Sequence, residues 1–383
     1  MTENFKEHNR EVKELWKAFY AGKPERIPMT IGASPRFFLL NPAYNTKRIS
    51  FREYFNDPEI MWNIQLEFAK LTAFQIFFDH EMGVPENGWA VNVDFQNTFE
   101  APWLGCGIRY PEDNVPATVP CLRDGNKYEL LEKGVPDPFS GLMRTAKEYY
   151  EIFREKGEKG FVYEGAPVSV NRVMDGTDGP FTIACNLRGT GEFCVDLYED
   201  TEYALQLMGL ITEATIQRIK AWRKFEGLPE KSAGIWFADD STALLSLECY
   251  KEFVLPFHKK LVSELSTKDT GNQIHLCGDA SHLFKTYQDE LGCTKFDTGF
   301  PVNHGELVKE LGPEAVVYGG PRIQLLQNGT KEAVAAEVKR IIRQVKPLTK
   351  KFVLRDANNL APLTPLENVK AMYDAVREYG RFE

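Results

Sequence analysis

A histidine and a cysteine two residues apart form the pattern with the clearest chemical meaning in this chain. Residues 273–278 read Gln-Ile-His-Leu-Cys-Gly, so His275 and Cys277 close a short apolar run. In a β-strand, residues i and i+2 project from the same face, so the two side chains should point together. An imidazole and a thiolate are two of the three or four ligands that zinc needs, and a thiolate favours zinc over magnesium or calcium. The pair therefore predicts a zinc site.

Two other interpretations of this pair remain open. His275 and Cys277 could act as base and nucleophile, which requires an accessible thiol of low pKa. They could also be a packed histidine and a buried cysteine without any chemistry. The seven cysteines are spread without the spacing of a disulfide framework, and their odd number argues against one. We expect most of them to be small buried side chains.

Two-thirds of the chain, towards the C-terminus, alternates short apolar runs with amphipathic stretches, which is typical of βα units. The pattern predicts strands at residues 233–238, 273–277, 293–296, 315–318 and 351–354. It predicts helices near residues 246–257, 280–291, 304–311, 331–345 and 369–379. Thr330 is the predicted N-cap of the helix that starts at residue 331.

The first half of the chain is less regular. Strands are predicted at residues 25–31 and 73–78, with 160–164 and 180–184 as candidates for the third, and helices at 11–21 and 201–225. Residues 88–122 carry alternating patterns and turn signals, which predict a β-rich insertion. Eight strand-like runs in sequence favour one TIM-type (β/α)8 barrel domain over residues 1–383, with an N-terminal helical extension in 1–25.

Active sites of such barrels are built at the carboxyl ends of the strands. Acidic or metal-competent side chains follow one predicted strand after another, namely Glu164, Asp239, Asp240, His275, Cys277, Asp297, Asp356 and Asn358. Each acid could instead be a helix N-cap or a turn residue. Together they predict a ring of polar groups around one site.

Composition excludes several classes of partner. The net charge is −9 and the pI about 5.4, with scattered basic residues, so neither nucleic acid nor a membrane surface is an expected partner. No apolar stretch approaches the ~20 residues that span a bilayer. Residues 1–8 are charged and lack the apolar core of a signal peptide, so a cytoplasmic location is expected.

Several short segments taken together resemble the uroporphyrinogen decarboxylase superfamily along most of the chain. They are residues 179–184 (Gly-Pro-Phe-Thr-Ile-Ala), 238–241, 244–246, 275–278, 318–320 and 364–372. The resemblance implies a TIM-type barrel, in agreement with the strand count. It implies one of two activities: decarboxylation of a tetrapyrrole without any cofactor, or methyl transfer linked to a corrinoid.

The decarboxylase is the poorer match within this superfamily. Its first strand leads into an Arg-Gln-Ala-Gly-Arg-Tyr segment that supplies arginines for the porphyrinogen carboxylates. Residues 31–37 of this chain read Ile-Gly-Ala-Ser-Pro-Arg-Phe and offer Arg36 alone. Several carboxylates in a cleft need fixed cations, because uncompensated buried charge is costly. Decarboxylation therefore remains the alternative, and a ligand-binding barrel without catalysis is a further one.

The methyltransferase branch includes coenzyme M enzymes with a zinc site of the form His-x-Cys followed far downstream by Cys. His275 and Cys277 match the first two positions, whereas Asn358 stands in place of the later Cys. This departure from the family pattern implies either a zinc site completed by an oxygen ligand or a site with altered thiol chemistry. We expect Glu164 as the oxygen ligand, with Asp239 or Asp240 as alternatives.

The resemblance also implies roles for the other polar residues. Asp239, Asp240 and Asn358 are the expected catalytic residues, and Arg36, Asp297 and Asp356 are expected to bind substrate. A zinc ion with one thiolate fewer is more electrophilic, which suits polarising an ether oxygen. The expected reaction is transfer of a methyl group from a small methylated substrate, such as an aryl methyl ether, to a Co(I) corrinoid. The sequence has no Asp-x-His-x-x-Gly motif, so a corrinoid-binding partner protein is expected. Homodimers are common in the superfamily, so a homodimer is one expectation for the assembly.

Overall fold

The structure, a computed structural model, describes residues 5–172 and 175–383. Its α-helices are α1 Phe5–Tyr20, α2 Pro35–Leu39, α3 Phe51–Asn56, α4 Pro58–Gln75, α5 Glu100–Trp103, α6 Glu129–Lys133, α7 Gly141–Glu158, α8 Pro180–Arg188, α9 Thr190–Glu199, α10 Thr201–Phe225, α11 Leu247–Cys249, α12 Leu255–Leu265, α13 Phe284–Leu291, α14 His304–Leu311, α15 Ile323–Asn328, α16 Lys331–Val345 and α17 Leu366–Tyr379. Its strands are β1 Trp89–Val91, β2 Gly107–Arg109, β3 Ala117–Val119, β4 Val162–Tyr163, β5 Ala166–Val170, β6 Trp236–Ala238, β7 Asn272–Leu276, β8 Cys293–Thr298, β9 Val316–Gly319 and β10 Phe352–Leu354. A 3₁₀ turn lies at Asp240–Leu244 and a π-helical turn at Tyr250–Val254.

The chain forms two compact units. The first consists of residues 1–91, 153–171 and 295–383. In it, β9 pairs in parallel with both β8 and β10, and β1 pairs in parallel with β5, which is antiparallel to β4. Alongside β10, Met29 forms an isolated parallel bridge with Leu354, so the strand predicted at residues 25–31 is reduced to single bridges.

The second unit consists of residues 92–152 and 172–294. Here β6 and β7 run parallel, and α10 packs on α8, α9 and α12. The buried side chains of α10, which include Tyr203, Leu207, Ile211 and Trp222, recur at three- and four-residue spacing. That stripe is the apolar face by which the long helix packs against its neighbours.

Many of the predicted elements are present with nearly the predicted bounds. The helices α10, α14 and α16 begin and end where the sequence pattern places them. The hydroxyl of Thr330 accepts a hydrogen bond from the Ala333 amide at 3.2 Å, which confirms the predicted N-cap. The strand with His275 is β7, also as predicted.

Two predicted strands are wrong. Residues 73–75 are the last turn of α4, and residues 180–184 begin α8. Short apolar runs do not distinguish a buried strand from a buried helix. Pro180 occupies the first turn of α8, a position where a proline costs no hydrogen bond and its fixed φ suits the helix. The segment 88–122 contains β1, the short helix α5 and the antiparallel hairpin of β2 and β3.

Candidate metal centre and adjoining cavity

The strand β7 places His275 and Cys277 side by side. Along it Asn272, Ile274 and Leu276 are fully buried, whereas His275 is half-buried on the opposite face. Cys277 follows the last strand residue, and its Sγ lies 3.1 Å from the Nε2 atom of His275. The predicted common direction of the two side chains is therefore confirmed.

Asp240 joins this pair from the neighbouring strand. Ala238 of β6 lies opposite His275 in the parallel register, so the chain two residues further on brings Asp240 level with Cys277. The Cys277 amide donates a hydrogen bond to Asp240 Oδ1 at 2.6 Å. One ligand atom from each of Asp240, His275 and Cys277 lies within 4.8 Å of the other two.

These three donors fit a zinc ion. Zinc binds sulfur at about 2.3 Å and nitrogen or oxygen at about 2.0–2.2 Å, so the ligand atoms around one tetrahedral ion lie roughly 3–4 Å apart. The observed separations, from 3.1 Å up to 4.8 Å, need only small side-chain rotations to reach that range. Over residues 5–172 and 175–383, no other group of three such side chains is close enough to hold a metal ion.

The carboxylate of Asp239 points away from this group and is fully buried. It accepts hydrogen bonds from the amides of Phe181 at 3.1 Å and Thr182 at 2.7 Å. These amides belong to the first turn of α8, where a helix has no internal acceptors for them. His258 Nε2 lies 2.9 Å from the same carboxylate, and the Tyr250 hydroxyl lies 3.0 Å from His258 Nδ1. The catalytic role expected of Asp239 stays a prediction.

Hydrogen bonds join the first turn of α8 to Asp239 and Ser241, the residues on either side of Asp240. The Thr182 hydroxyl donates to Asp239 at 2.7 Å and accepts from the Ser241 amide at 2.9 Å. Gly179, with φ +83°, lies so close that a Cβ there would be 2.3 Å from the Ala238 carbonyl oxygen. The backbone that carries Asp240 is thus fixed by its neighbours before any metal binds.

A cavity of about 310 Å³ adjoins Asp240. It is lined by Asn97, Thr98, Pro116, Ala117, Thr118, Asp178, Thr182, Asn186 and Asp240. Apart from Pro116 and Ala117, these side chains are amides, hydroxyls and carboxyls, and none of the described residues in the lining is a lysine, arginine or histidine. The cavity therefore offers hydrogen bonds to a ligand but no positive side chain for an organic anion.

Among these lining residues, Asp178 has a raised pKa. Burial raises the pKa of its carboxyl well above the ordinary value, and the carboxylates of Glu100, Asp240 and Asp239 raise it further, while Arg218 acts in the opposite direction. Glu100 accepts hydrogen bonds from the Asp178 amide at 2.7 Å and from Arg218 at 2.8 Å. Asp178 therefore faces the cavity as a carboxyl that retains its proton to a higher pH than an exposed aspartate.

The expected oxygen ligand Glu164 is not part of the metal group. It lies in the turn between β4 and β5 with φ +47°, and its half-exposed carboxylate pairs with Lys70. Its contacts are those of a turn residue in a surface ion pair, and among the described residues the carboxylate that lies beside His275 and Cys277 is that of Asp240.

Two of the predicted substrate residues are acids of the first unit. Asp297 on β8 forms a buried ion pair with Arg355. Asp356 follows β10 and is fully buried. Its Oδ1 accepts from the Gly32 amide at 2.7 Å, and in the described part of the chain its Oδ2 has no partner. Burial raises the pKa of Asp356 to about 7.

The remaining two predicted residues also lie in the first unit. Arg36 is on α2, and its Nε donates to the Ser34 hydroxyl at 3.0 Å. Asn358 has φ +140°, and its side-chain oxygen accepts from Asn359 at 3.2 Å. The roles of Arg36, Asp297, Asp356 and Asn358 stay predictions.

Sequence reasoning missed Asp178, Thr182 and His258. Thr182 lies in the segment 179–184 that carries the family resemblance, but nothing in the sequence indicates a role for any of the three, because each acts through residues distant in sequence. The single available signal is His258, a polar residue in the stripe of α12 that also holds Leu255, Leu261 and Leu265. A histidine on such a buried face needs a partner, and Asp239 is that partner.

Comparison with known proteins identifies the family. The profile described as uroporphyrinogen decarboxylase (URO-D) matches residues 11–379. The chain belongs to the uroporphyrinogen decarboxylase family. Within it, the chain is 31% identical over 300 residues to a methylated-thiol–coenzyme M methyltransferase of Methanosarcina mazei, which covers 76% of this chain and 72% of the relative. It is 24% identical over 301 residues to the methylcobamide:CoM methyltransferase MtbA of Methanosarcina acetivorans, covering 76% of this chain and 80% of the relative.

A solved structure shows the fold of this family member. The backbone superposes on a methyltransferase from Methanosarcina mazei with a TM-score of 0.65 and 22% identity, covering 96% of this chain and 98% of the other. The predicted fold class, a TIM-type α/β barrel, is confirmed. The relatives support methyl transfer as the class of reaction. Among the described residues, no helix has the length and apolar character needed to cross a membrane.

Proposed function

We propose that this chain is a zinc-dependent methyltransferase that moves a methyl group from an aryl methyl ether to a corrinoid carried by a partner protein. The observation that carries the proposal is the position of Asp240, which belongs both to the group with His275 and Cys277 and to the wall of the cavity. A molecule bound in the cavity would therefore lie against the metal ligands. The similarity to methyltransferases supports the same class of reaction.

Three side chains would hold the zinc ion: Cys277 as a thiolate, His275 through a ring nitrogen and Asp240 through a carboxylate oxygen. Three protein ligands leave a fourth position open, as in catalytic zinc sites. When bound, zinc would supply Lewis acidity at the ether oxygen from which the methyl group departs. A carboxylate from Asp240 donates less charge than a second thiolate would, which favours an oxygen substrate over a thiol.

The raised pKa of Asp178 favours a substrate that is uncharged and that carries an oxygen atom able to accept a hydrogen bond from this carboxyl. Because burial and neighbouring carboxylates raise its pKa, the carboxyl is a hydrogen-bond donor at a pH where an exposed aspartate is an acceptor only. The hydroxyl of Thr182 is held by Asp239, so it keeps its position in the cavity wall. A methoxy compound offers the acceptor oxygen that such a wall binds.

The corrinoid belongs to a partner in this proposal. A reduced Co(I) corrinoid would supply the nucleophile for the methyl carbon. The printed name of a relative, methylcobamide:CoM methyltransferase, supports this kind of methyl carrier. The residues of the chain bind and orient the ether, and the Asp178 carboxyl donates a hydrogen bond to its oxygen.

The residues that line the cavity do not favour the alternative activity, decarboxylation of a porphyrinogen. A porphyrinogen with several carboxylates needs fixed cations, and no lysine, arginine or histidine lines the cavity beside Asp240. The arginine behind it, Arg218, is already hydrogen-bonded to Glu100.

The test is an anaerobic assay with the zinc-loaded protein, veratrole as the aryl methyl ether and cob(I)alamin as the methyl acceptor. We expect formation of methylcobalamin together with guaiacol. The variants Cys277→Ser and Asp240→Asn should lose bound zinc, measured by elemental analysis, and lose the reaction.

A matched control is Cys249→Ser, since Cys249 is another half-buried thiol but lies outside the metal group. It should keep both zinc and activity. Full activity in protein that contains no metal, or an unchanged zinc content in the Cys277 variant, would refute the zinc site. Zinc binding without any methylcobalamin would refute the aryl ether as substrate.

A further inference from the structure

Two cysteines meet at the open end of the hairpin formed by β2 and β3. Cys106 directly precedes β2, and Cys121 follows β3 by two residues. The strands are antiparallel with Gly107 opposite Val119, so the register itself brings the two cysteines together. Their Sγ atoms are 3.3 Å apart, and both thiols are free. This distance exceeds a disulfide bond of about 2.05 Å by an amount that side-chain rotation can close.

The two thiols differ in exposure and acidity. Cys106 is 8% exposed, whereas Cys121 is half-buried, so a small reagent reaches Cys121 first. The hydrogen bond from Cys106 lowers the pKa of Cys121, and the same bond together with burial raises the pKa of Cys106. Cys121 is therefore the better thiolate nucleophile, with a second thiol in contact to resolve a mixed disulfide.

The hairpin next to these thiols forms part of the cavity wall. Pro116, Ala117 and Thr118 line the cavity that also contains Asp240. The base of the hairpin is fixed to the end of α8, because the amides of Cys121 and Leu122 both donate to the Leu187 carbonyl at 2.9 Å. A covalent link at this base would fix the hairpin, and with it one wall of the cavity.

We propose that Cys106 and Cys121 are a redox modification site, a dithiol that exchanges with small disulfides and, when oxidised, restrains the hairpin of β2 and β3 that lines the cavity. The Cys121 thiolate attacks one sulfur of the small disulfide and releases one thiol. Cys106, losing its proton, then displaces the second thiol from Cys121 and completes the protein disulfide. Two protein thiols are oxidised and one small disulfide is reduced to two thiols. The inference does not depend on the proposed methyl transfer.

A second pair of neighbouring thiols, Cys185 and Cys194, is the alternative site for a disulfide. Cys185 of α8 donates a hydrogen bond to Cys194 of α9, and that bond lowers the pKa of Cys194 to about 7. This pair joins the helices α8 and α9, and neither cysteine belongs to the hairpin of β2 and β3. Oxidation there would leave the hairpin of β2 and β3 without a covalent link, so the position of the disulfide decides between the two.

The experiment uses the reduced, zinc-loaded full chain, exposed to oxidised glutathione without oxygen. We expect the count of free thiols to fall from seven to five in the denatured product, and peptide mapping to show Cys106 joined to Cys121. Amide hydrogen exchange in residues 107–119 should slow on oxidation, and dithiothreitol should reverse both changes.

Variants separate this result from nonspecific oxidation. Cys106→Ser and Cys121→Ser should each abolish the internal disulfide, and Cys121→Ser should also prevent the mixed disulfide with glutathione at this site. Cys249→Ser should still form the disulfide, falling from six free thiols to four. An unchanged thiol count, a disulfide mapped to Cys185 and Cys194, or unaltered exchange in the oxidised hairpin would each overturn the proposal.

Discussion

The side chains of Asp239 and His258 are joined by a hydrogen bond of 2.9 Å, and both are 0% exposed. Asp239 is adjacent in sequence to Asp240, the carboxylate of the metal group. Its four hydrogen bonds, from two amides of α8, the Thr182 hydroxyl and His258, hold the backbone at that point. A buried chain of hydrogen bonds therefore holds the backbone next to Asp240, the residue that we propose as a zinc ligand.

Removal of the His258 ring should weaken both folding and metal binding. In His258→Leu the buried Asp239 carboxylate loses one partner, which costs about 1–3 kcal/mol of unfolding free energy. Removal of a residue that positions a metal ligand typically lowers metal affinity by about 10–100-fold, so the zinc affinity of His258→Leu should decrease by a factor in that range. Urea unfolding and a zinc competition titration measure the two effects. The exposed neighbour variant Lys259→Gln should change neither, and unaltered zinc affinity in folded His258→Leu protein would contradict the positioning role.

Gly179 and Gly191 should respond in opposite ways to the same substitution. Gly179 has φ +83°, and a Cβ there would lie 2.3 Å from the Ala238 carbonyl and 2.5 Å from the Asp239 carboxyl. Gly179→Ala should therefore lower the unfolding free energy by about 3 kcal/mol or more and reduce zinc affinity. Gly191 lies within α9 with nothing inside 4 Å of its Cβ position, so Gly191→Ala should stabilise by about 0.5–1 kcal/mol. Thermal and urea unfolding check both directions.

The sequence correctly predicts that His275 and Cys277 lie side by side, because the information that places them is local. The alternation of β7 and the two-residue spacing of His275 and Cys277 are enough to place both side chains on one face. The identity of the third residue in this group depends on which strand pairs with β7 and on the register of that pairing. Asp240 was thus one of several acids at strand ends, and only the pairing of Ala238 with His275 separates it from Glu164.

The errors in the predicted elements have a related cause. Residues 180–184 have the composition of a strand, yet they form the first turns of α8 because Pro180 starts the helix and Asp239 binds its free amides. Asp239 follows Phe181 by 58 residues in the sequence. Tertiary capping of this kind leaves no periodic pattern, so local reasoning does not detect it.

Asp356 should make the protein less stable as the pH rises. Its pKa of about 7 in the folded chain exceeds the ~3.9 of an exposed aspartate, so between these values the folded state keeps a proton that the unfolded state has lost. The unfolding free energy should therefore fall from about pH 4 to about pH 7 through this group. Asp356→Asn removes the titration, and its stability relative to the natural protein should rise by up to roughly 4 kcal/mol over that range. Urea unfolding at several pH values measures the difference, and parallel pH profiles would contradict it.

Asp178 should bind an ether oxygen as a neutral donor, which a pair of substitutions can test. An asparagine retains a donor of similar shape, so Asp178→Asn should bind veratrole within about threefold of the natural protein at a pH where the Asp178 carboxyl keeps its proton. Asp178→Ala loses the hydrogen bond, worth about 0.5–1.5 kcal/mol, and should bind about threefold to tenfold more weakly. Calorimetry on zinc-loaded protein measures each dissociation constant without requiring turnover.

The pH dependence and the charge of the ligand complete this test. Ionisation of Asp178 at higher pH converts its donor into an acceptor, so veratrole affinity should fall with pH in the natural protein and stay flat in Asp178→Asn. In zinc-free protein, where no metal ion can bind its carboxylate, veratrate should bind more weakly than veratrole, because the described residues that line the cavity include carboxyls and no cationic side chain. Tighter binding of veratrate, or an Asn variant as weak as the Ala variant, would show that Asp178 does not act as a neutral donor to the substrate.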